Sequence, residues 1–227
     1  AAAHAGLSAL PNNPQLTEAL GAAQLASGDF NQAIEAFRRL AQLQPQNPLV
    51  FLRLSQAQAA VKDYTGAIAS GQKALAFKPD LVQGYAALAK IYLVSGRPDE
   101  AIGEARKLQK DHSDQAVGYS LEGEVLAAQK KWPESAAAFQ KGLSRQPVPA
   151  LAARTYLSLQ AADKLADATA LANQWMRDHP QDPTIPLLLA EQSQQKKDVA
   201  AAKSGYARVL EIAPDDAVAL NNLAWLL

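Results

Sequence analysis

The sequence predicts an all-α chain, built as a solenoid of antiparallel helix pairs. Three periodic observations carry that reading. Proline recurs at Pro11, Pro45 and Pro79 and, past the substituted position Ser113, at Pro147, Pro180 and Pro214, a spacing of 34 residues that shortens to 33 once. A small residue keeps the same phase at Ala33, Ala67, Ala101, Ser135, Ala168 and Ala202. So do a bulky or ring residue at Phe30, Tyr64, Pro98, Trp132, Leu165 and Val199, and a second small residue at Gly21, Ser55, Ala89, Gly123, Ala190 and Ala224. Self-similarity at one such period marks a stacked array, in which no unit buries its apolar face alone.

The register divides a single domain over residues 1–227 into repeats 14–47, 48–81, 82–115, 116–148, 149–182 and 183–216. Residues 1–13 read as the end of a preceding repeat, and 217–227 as the first helix of a further one. The chain is therefore expected to be a piece of a longer array.

In the first repeat, Gly28-Asp29 separates two helical stretches. In the second, Phe51, Leu54, Gln58 and Val61 share one helical face over 48–61, and Lys62-Asp63 breaks it. Ala67, Ile68, Gly71, Ala74 and Leu75 then mark a helix over 64–77, which Lys78-Pro79-Asp80 ends because proline lacks the N–H a helix needs. Gly96-Arg97 and Lys197-Asp198 break the third and sixth repeats at the equivalent place. Glycine suits such a helix end because it takes positive φ freely.

Small residues let paired helices approach closely, and the ring opening the second helix should fill the space at the turn. Phe30, Tyr64 and Trp132 accordingly read as core, as does Trp175. Repeat 149–182 departs from the pattern, with Tyr156 at the small-residue position and a spacing one short. The tyrosine is expected to push its two helices apart or shift their register, giving a local irregularity near Pro147-Val148-Pro149.

Composition narrows the function. The apolar fraction is 48% and the charged fraction 19%, so the chain can bury a core, unlike a disordered segment. Twenty-two basic residues balance 22 acidic ones, which speaks against a nucleic-acid binder. With no cysteine, disulfides, thiolate metal sites and thiol nucleophiles are excluded. No apolar run is long enough to span a membrane, so direct membrane insertion is not expected.

Nothing points to catalysis, a metal or a cofactor. No phosphate-binding glycine loop, His-Glu-x-x-His helix or Gly-x-Ser-x-Gly elbow is present. Glu122 and Glu124 lie two apart on one helix and point in different directions. His112 and His179 fall at equivalent helix C-termini, where the helix dipole suits a partly charged imidazole. His4 reads as solvent-facing.

The motif Thr17, Leu20, Gly21, Gln24, Ala33, Phe37, Pro45 resembles the tetratricopeptide repeat family, as does Tyr85, Leu88, Ala89, Tyr92, Ala101, Leu108. The resemblance covers nearly the whole chain. It implies a right-handed superhelix whose first helices line a concave groove through repeat positions 2, 5, 6, 9, 12 and 13. Those positions hold Glu18 and Leu25, then Leu49, Leu52, Arg53 and Gln56. Gln83, Lys90, Leu93 and Val94 follow, then Val117, Ser120, Leu121 and Glu124. Arg154, Leu157 and Gln160 come next, and then Thr184, Leu187, Leu188, Glu191 and Gln194. Asn221, Asn222 and Trp225 close the series.

Arg53, Lys90 and Arg154 balance Glu18, Glu124 and Glu191, so the groove has no net field. The Lys/Asn cluster with which the family clamps a C-terminal carboxylate is missing. The apolar members mark an interaction surface. The expectation is a non-catalytic scaffold binding a peptide or protein segment, with the leucines making contact and Arg53, Lys90, Arg154, Asn221 and Asn222 fixing register. Two alternatives are a structural spacer or self-assembling array, and an envelope carbohydrate-binding module using Tyr85, Tyr119 and Trp225. End-to-end or dimeric self-contacts are expected through Leu7 with Leu10 and Leu220 with Leu223. The Ala-, Leu- and Gln-rich repeats and the closing Leu220–Leu227 resemble the TPR-repeat lipoproteins of exosortase (PEP-CTERM) systems, linked to exopolysaccharide and protein sorting. That resemblance implies a lipid-anchored place in the bacterial cell envelope, with the cytoplasm as the alternative.

Overall fold

A computed structural model describes residues 12–226. The described chain is all-α, with thirteen helices and no strand. They are α1 (Pro14–Ser27), α2 (Phe30–Leu43), α3 (Pro48–Ala60), α4 (Tyr64–Phe77), α5 (Val82–Val94), α6 (Pro98–Asp111), α7 (Val117–Ala128), α8 (Trp132–Arg145), α9 (Pro149–Ala161), α10 (Leu165–Asp178), α11 (Thr184–Gln195), α12 (Val199–Ile212) and α13 (Ala217–Leu226). The chain divides into two compact units, Ala1–Ser113 and Asp114–Leu227. Each unit stacks antiparallel pairs, first helix against second. The expectations placed on residues 1–11, including His4 and the Leu7–Leu10 face, and on Leu227 lie outside the described residues.

Local chemistry sets the boundaries. Proline opens α1, α3, α6 and α9, where its missing N–H costs nothing. The Asn13 and Asn47 side chains cap α1 and α3, accepting from the Leu16 and Leu49 N–H groups at 3.0 and 3.1 Å. Each first helix ends in a residue of positive φ: Gly28 (84°), Lys62 (63°), Gly96 (75°), Lys130 (58°), Asp163 (58°) and Lys197 (62°). The following N–H groups, of Asp29, Asp63, Arg97, Lys131, Lys164 and Asp198, donate five residues back at 2.8–3.0 Å. This is the Schellman closure, and it occurs in all six pairs. His112 and His179 cap α6 and α10.

The small residues pack as the period requires. Ala33, Ala67, Ala101, Ser135, Ala168 and Ala202 are buried. Gly21 and Gly123 leave room for Phe37 and Phe139, whose rings stand 2.9 and 2.5 Å from where a Cβ would be. The ring position corrects the sequence reading. Phe30, Tyr64 and Trp132 are only half-buried, and Leu165 and Val199 are exposed. At the first residue of a helix that follows a tight turn, only one side of the ring faces protein. Trp175 is core, packed with Ala172 and Ile185 and donating its indole N–H to Asp182.

In repeat 149–182 the core admits Tyr156. Of the six pairs, α9 and α10 are the most loosely apposed, and α10 meets α11 less closely than α2 meets α3 or α8 meets α9. Instead α9 reaches α11 directly. The Tyr156 hydroxyl donates to Gln192 Oε1 at 3.0 Å, and the Gln192 amide donates to Gln160 Oε1 at 2.7 Å.

Candidate partner-binding face

The predicted residues sit on the first helices of both units. The apolar ones separate into two groups. Leu52 and Leu121 are 7% and 8% exposed and belong to the core. Leu52 packs with Phe51, Ala74 and Leu81. Leu93 and Val117 are half-buried, as are Leu187 and Leu188, which lie against the Tyr206 and Trp175 clusters. Leu52 and Leu121 are therefore corrected from free contact residues to core side chains, while Leu93, Val117, Leu187 and Leu188 are partly taken up in packing and partly open. Leu49, Val94 (56%), Leu157 (44%) and Trp225 (76%) are exposed and available.

The charged members pair within the face. Arg53 lies 3.7 Å from Glu18, joining α3 to α1. Arg154 pairs with Glu124, joining α9 to α7, and donates to Ser120 Oγ at 3.2 Å. Such half-exposed pairs contribute about 0–1 kcal/mol each, so they set side-chain positions more than stability. Lys90 and Glu191 have no ion-pair partner among the described residues. Gln56 and Asn221 are exposed, and Asn222 donates its amide to the Tyr206 hydroxyl at 3.1 Å. Burial first, then the charge of Glu191, pushes the Tyr206 phenol up, while the Asn222 hydrogen bond opposes this.

Open pockets lie between the first helices within each unit. One of about 500 Å³ lies between the C-terminal ends of α3 and α5, lined by Gln56, Ala59, Ala60, Lys62, Tyr64, Ala87, Lys90, Ile91 and Val94. A second, of about 560 Å³, lies between α7 and α9 at equivalent repeat positions, lined by Glu124, Ala127, Trp132, Phe139, Arg154, Leu157, Ser158 and Ala161. A third, of about 340 Å³, lies between α11 and α13 and is polar, lined by Glu191, Gln194, Gln195, Tyr206 and Asn222. Sequence reasoning missed Tyr64 and Trp132 as members of the face. The signal was there, since each ring follows a run of alanine at the end of the first helix, where nothing else can fill the space.

Among the described residues no group of three His, Cys, Asp or Glu is placed to hold a metal, and no helix is long and apolar enough to cross a membrane. The His179 ring lies 3.9 Å from that of Trp175, a packing contact.

Residues 18–82 and 86–150 match the family described as tetratricopeptide repeat. The small glutamine-rich tetratricopeptide repeat-containing protein 2 of Saccharomyces cerevisiae is 24% identical over 111 residues, 49% of this chain and 32% of the yeast protein. The Hsp70-Hsp90 organizing protein 2 of Arabidopsis thaliana is 36% identical over 67 residues, 30% of this chain and 12% of the plant protein. The chain thus spans a third or less of either relative. A tetratricopeptide repeat protein from Parabacteroides merdae superposes with a TM-score of 0.60 at 13% identity, over 99% of this chain and 89% of that one, a likeness of fold.

Proposed function

The chain belongs to the tetratricopeptide repeat family, and from that premise we propose that it is a non-catalytic scaffold whose first-helix face binds a peptide or protein segment. One observation carries the reading. Exposed apolar side chains, Val94 and Leu157 foremost, wall pockets at matching repeat positions. A chain with no partner gains nothing from apolar walls in water, and recurring concavities with few polar groups are what ligand sites look like. The charge pairs Arg53–Glu18 and Arg154–Glu124 hold the polar rim in place.

The test follows from the burial pattern. Leu52 and Leu121 are unsuitable probes, because a charge there would unfold the pair. The double variant Val94→Glu with Leu157→Glu changes only exposed positions. Peptides selected from a displayed random library on the wild-type chain should lose about ten-fold or more in affinity for the variant, since a removed apolar anchor costs more than about 1 kcal/mol. Unchanged affinity with unchanged helicity rejects the face.

We further propose that the parent protein acts in the bacterial envelope, in an exopolysaccharide or protein-sorting system, on the likeness of its Ala-, Leu- and Gln-rich repeats and its closing segment to lipoproteins of that kind. Fractionation of the native cells with an antibody against the chain tests this. Recovery in the cytoplasmic fraction rejects it.

A further inference from the structure

We infer that the pocket between α3 and α5 takes a bulky aliphatic side chain from a peptide segment whose adjacent residues are internal aspartates or glutamates. The inference rests on the reading of the first-helix face as a peptide surface and gives that surface a ligand chemistry. Ala59, Ala60 and Ala87 leave the pocket wide, while Ile91, Val94 and the Tyr64 ring wall it. That lining suits a branched aliphatic group, which is favoured out of water on burial.

Charge supplies the rest. Lys62 and Lys90 stand at the pocket and no carboxylate lines it. The nearest acid in sequence, Asp63, is occupied as the cap of α4, accepting from the Gly66 N–H at 2.9 Å and the Gln58 amide at 3.4 Å. Glu18 is occupied by Arg53. Neither ammonium group beside the apolar hollow lies within ion-pair distance of a carboxylate among the described residues, and an acidic segment supplies one. The pocket between α7 and α9 is the built-in comparison. It occupies the same repeat positions, yet its one cation, Arg154, is already neutralised by Glu124. The selectivity for acid thus belongs to the α3–α5 pocket alone. An uncharged glycan would leave Lys62 and Lys90 unanswered.

The probes are fluorescein-labelled nonapeptides with acetylated and amidated ends. They carry a central leucine flanked by aspartates, asparagines or lysines in a Gly/Ser background, and are titrated by anisotropy against the full chain. The aspartate peptide should bind about five-fold tighter than the asparagine peptide, as expected for two exposed ion pairs, with the lysine peptide weakest. Lys90→Glu should abolish or invert that order, and Ala60→Phe, at an exposed position of α3, should fill the hollow and weaken the aspartate peptide about ten-fold with helicity unchanged. Equal affinity for the three peptides, an order unmoved by Lys90→Glu, or binding only when the C-terminal carboxylate is left free each overturns the inference. Such a result leaves the wider reading standing if Val94→Glu with Leu157→Glu still weakens library-selected peptides. Failure of any peptide to bind the wild-type chain removes both.

Discussion

Gly123 and Gly103 lie in helix interiors under opposite constraints. A Cβ at Gly123 would stand 2.5 Å from the buried Phe139 ring, which would have to shift to admit it. Gly123→Ala should therefore lose about 1–3 kcal/mol, the usual cost of overpacking, although alanine is the better helix former. A Cβ at Gly103 in α6 would meet nothing within 4 Å. Gly103→Ala should gain about 0.5–1 kcal/mol from the unfolded chain's lost freedom. Urea denaturation of the two variants checks the sign of each. Tyr85 makes a second prediction at this scale. Burial, then a hydrogen bond to Asp111 (3.2 Å) with that group's charge, and the charge of Glu104, push its phenol up to about 12. The unfolded tyrosine ionises near pH 10, so above that pH the unfolded chain holds fewer protons than the folded one. Stability from this group is complete below pH 10 and is lost as pH rises toward 12, a loss on the order of 2 kcal/mol. Tyr85→Phe should flatten the fall of urea midpoint between pH 10 and 12. An equally steep fall would assign it to other groups.

The turn between paired helices places one residue at positive φ in all six pairs, but only Gly28 and Gly96 are glycine there. Lys62, Lys130, Asp163 and Lys197 hold the same conformation at a cost of about 1 kcal/mol each. Lys130→Gly should raise stability by up to about 1 kcal/mol, and Gly96→Ala should lower it by a similar amount, both read as shifts of thermal midpoint with cooperativity unchanged. Helix boundaries at these turns were legible because the chemistry is local: Pro48 and Asn47 open α3, and the Lys62-Asp63 break closes it, within one residue of the expected end. Burial on the first-helix face was less legible. Leu49 and Leu52 are identical in type and three residues apart on one helix, yet one is exposed and the other is core. What separates them is the neighbouring helix Val82–Val94 and the second helix carrying Ala74, and that depends on the rotation from one pair to the next, which no residue of α3 encodes by itself. The same reason hid Tyr64 and Trp132, whose exposed sides are defined by the following pair.

Over the whole chain, stability is a sum of pair and neighbour terms, so a weak pair stays visible as a local minimum. Among the six helix pairs, repeat 149–182 holds that minimum. Tyr156 occupies the position that Gly21, Ser55, Ala89 and Gly123 keep small, and α9 and α10 stand loosely as a result. The buried set of α10 is short, Ala168, Ala172 and Trp175, against five buried positions in α4 and five in α8. Meanwhile α9 is held to α11 through Tyr156, Gln160 and Gln192, hydrogen bonds that bypass α10. Local opening should thus release α10 while α9 and α11 stay in place, because fewer of its residues are buried than in α4 or α8. In native-state hydrogen exchange, the amides of residues 169–178 should exchange ahead of those of residues 68–77 and 136–145, the corresponding stretches of α4 and α8. Tyr156→Ser, which also removes the hydroxyl bond to Gln192, should leave a cavity and lose about 3–5 kcal/mol if the pair fails to collapse around it. A smaller loss with slower exchange in α10 would show the two helices closing to the spacing of the other pairs. Protection in α10 equal to that in α4 and α8 would mean that the loose pair is no weaker than its neighbours.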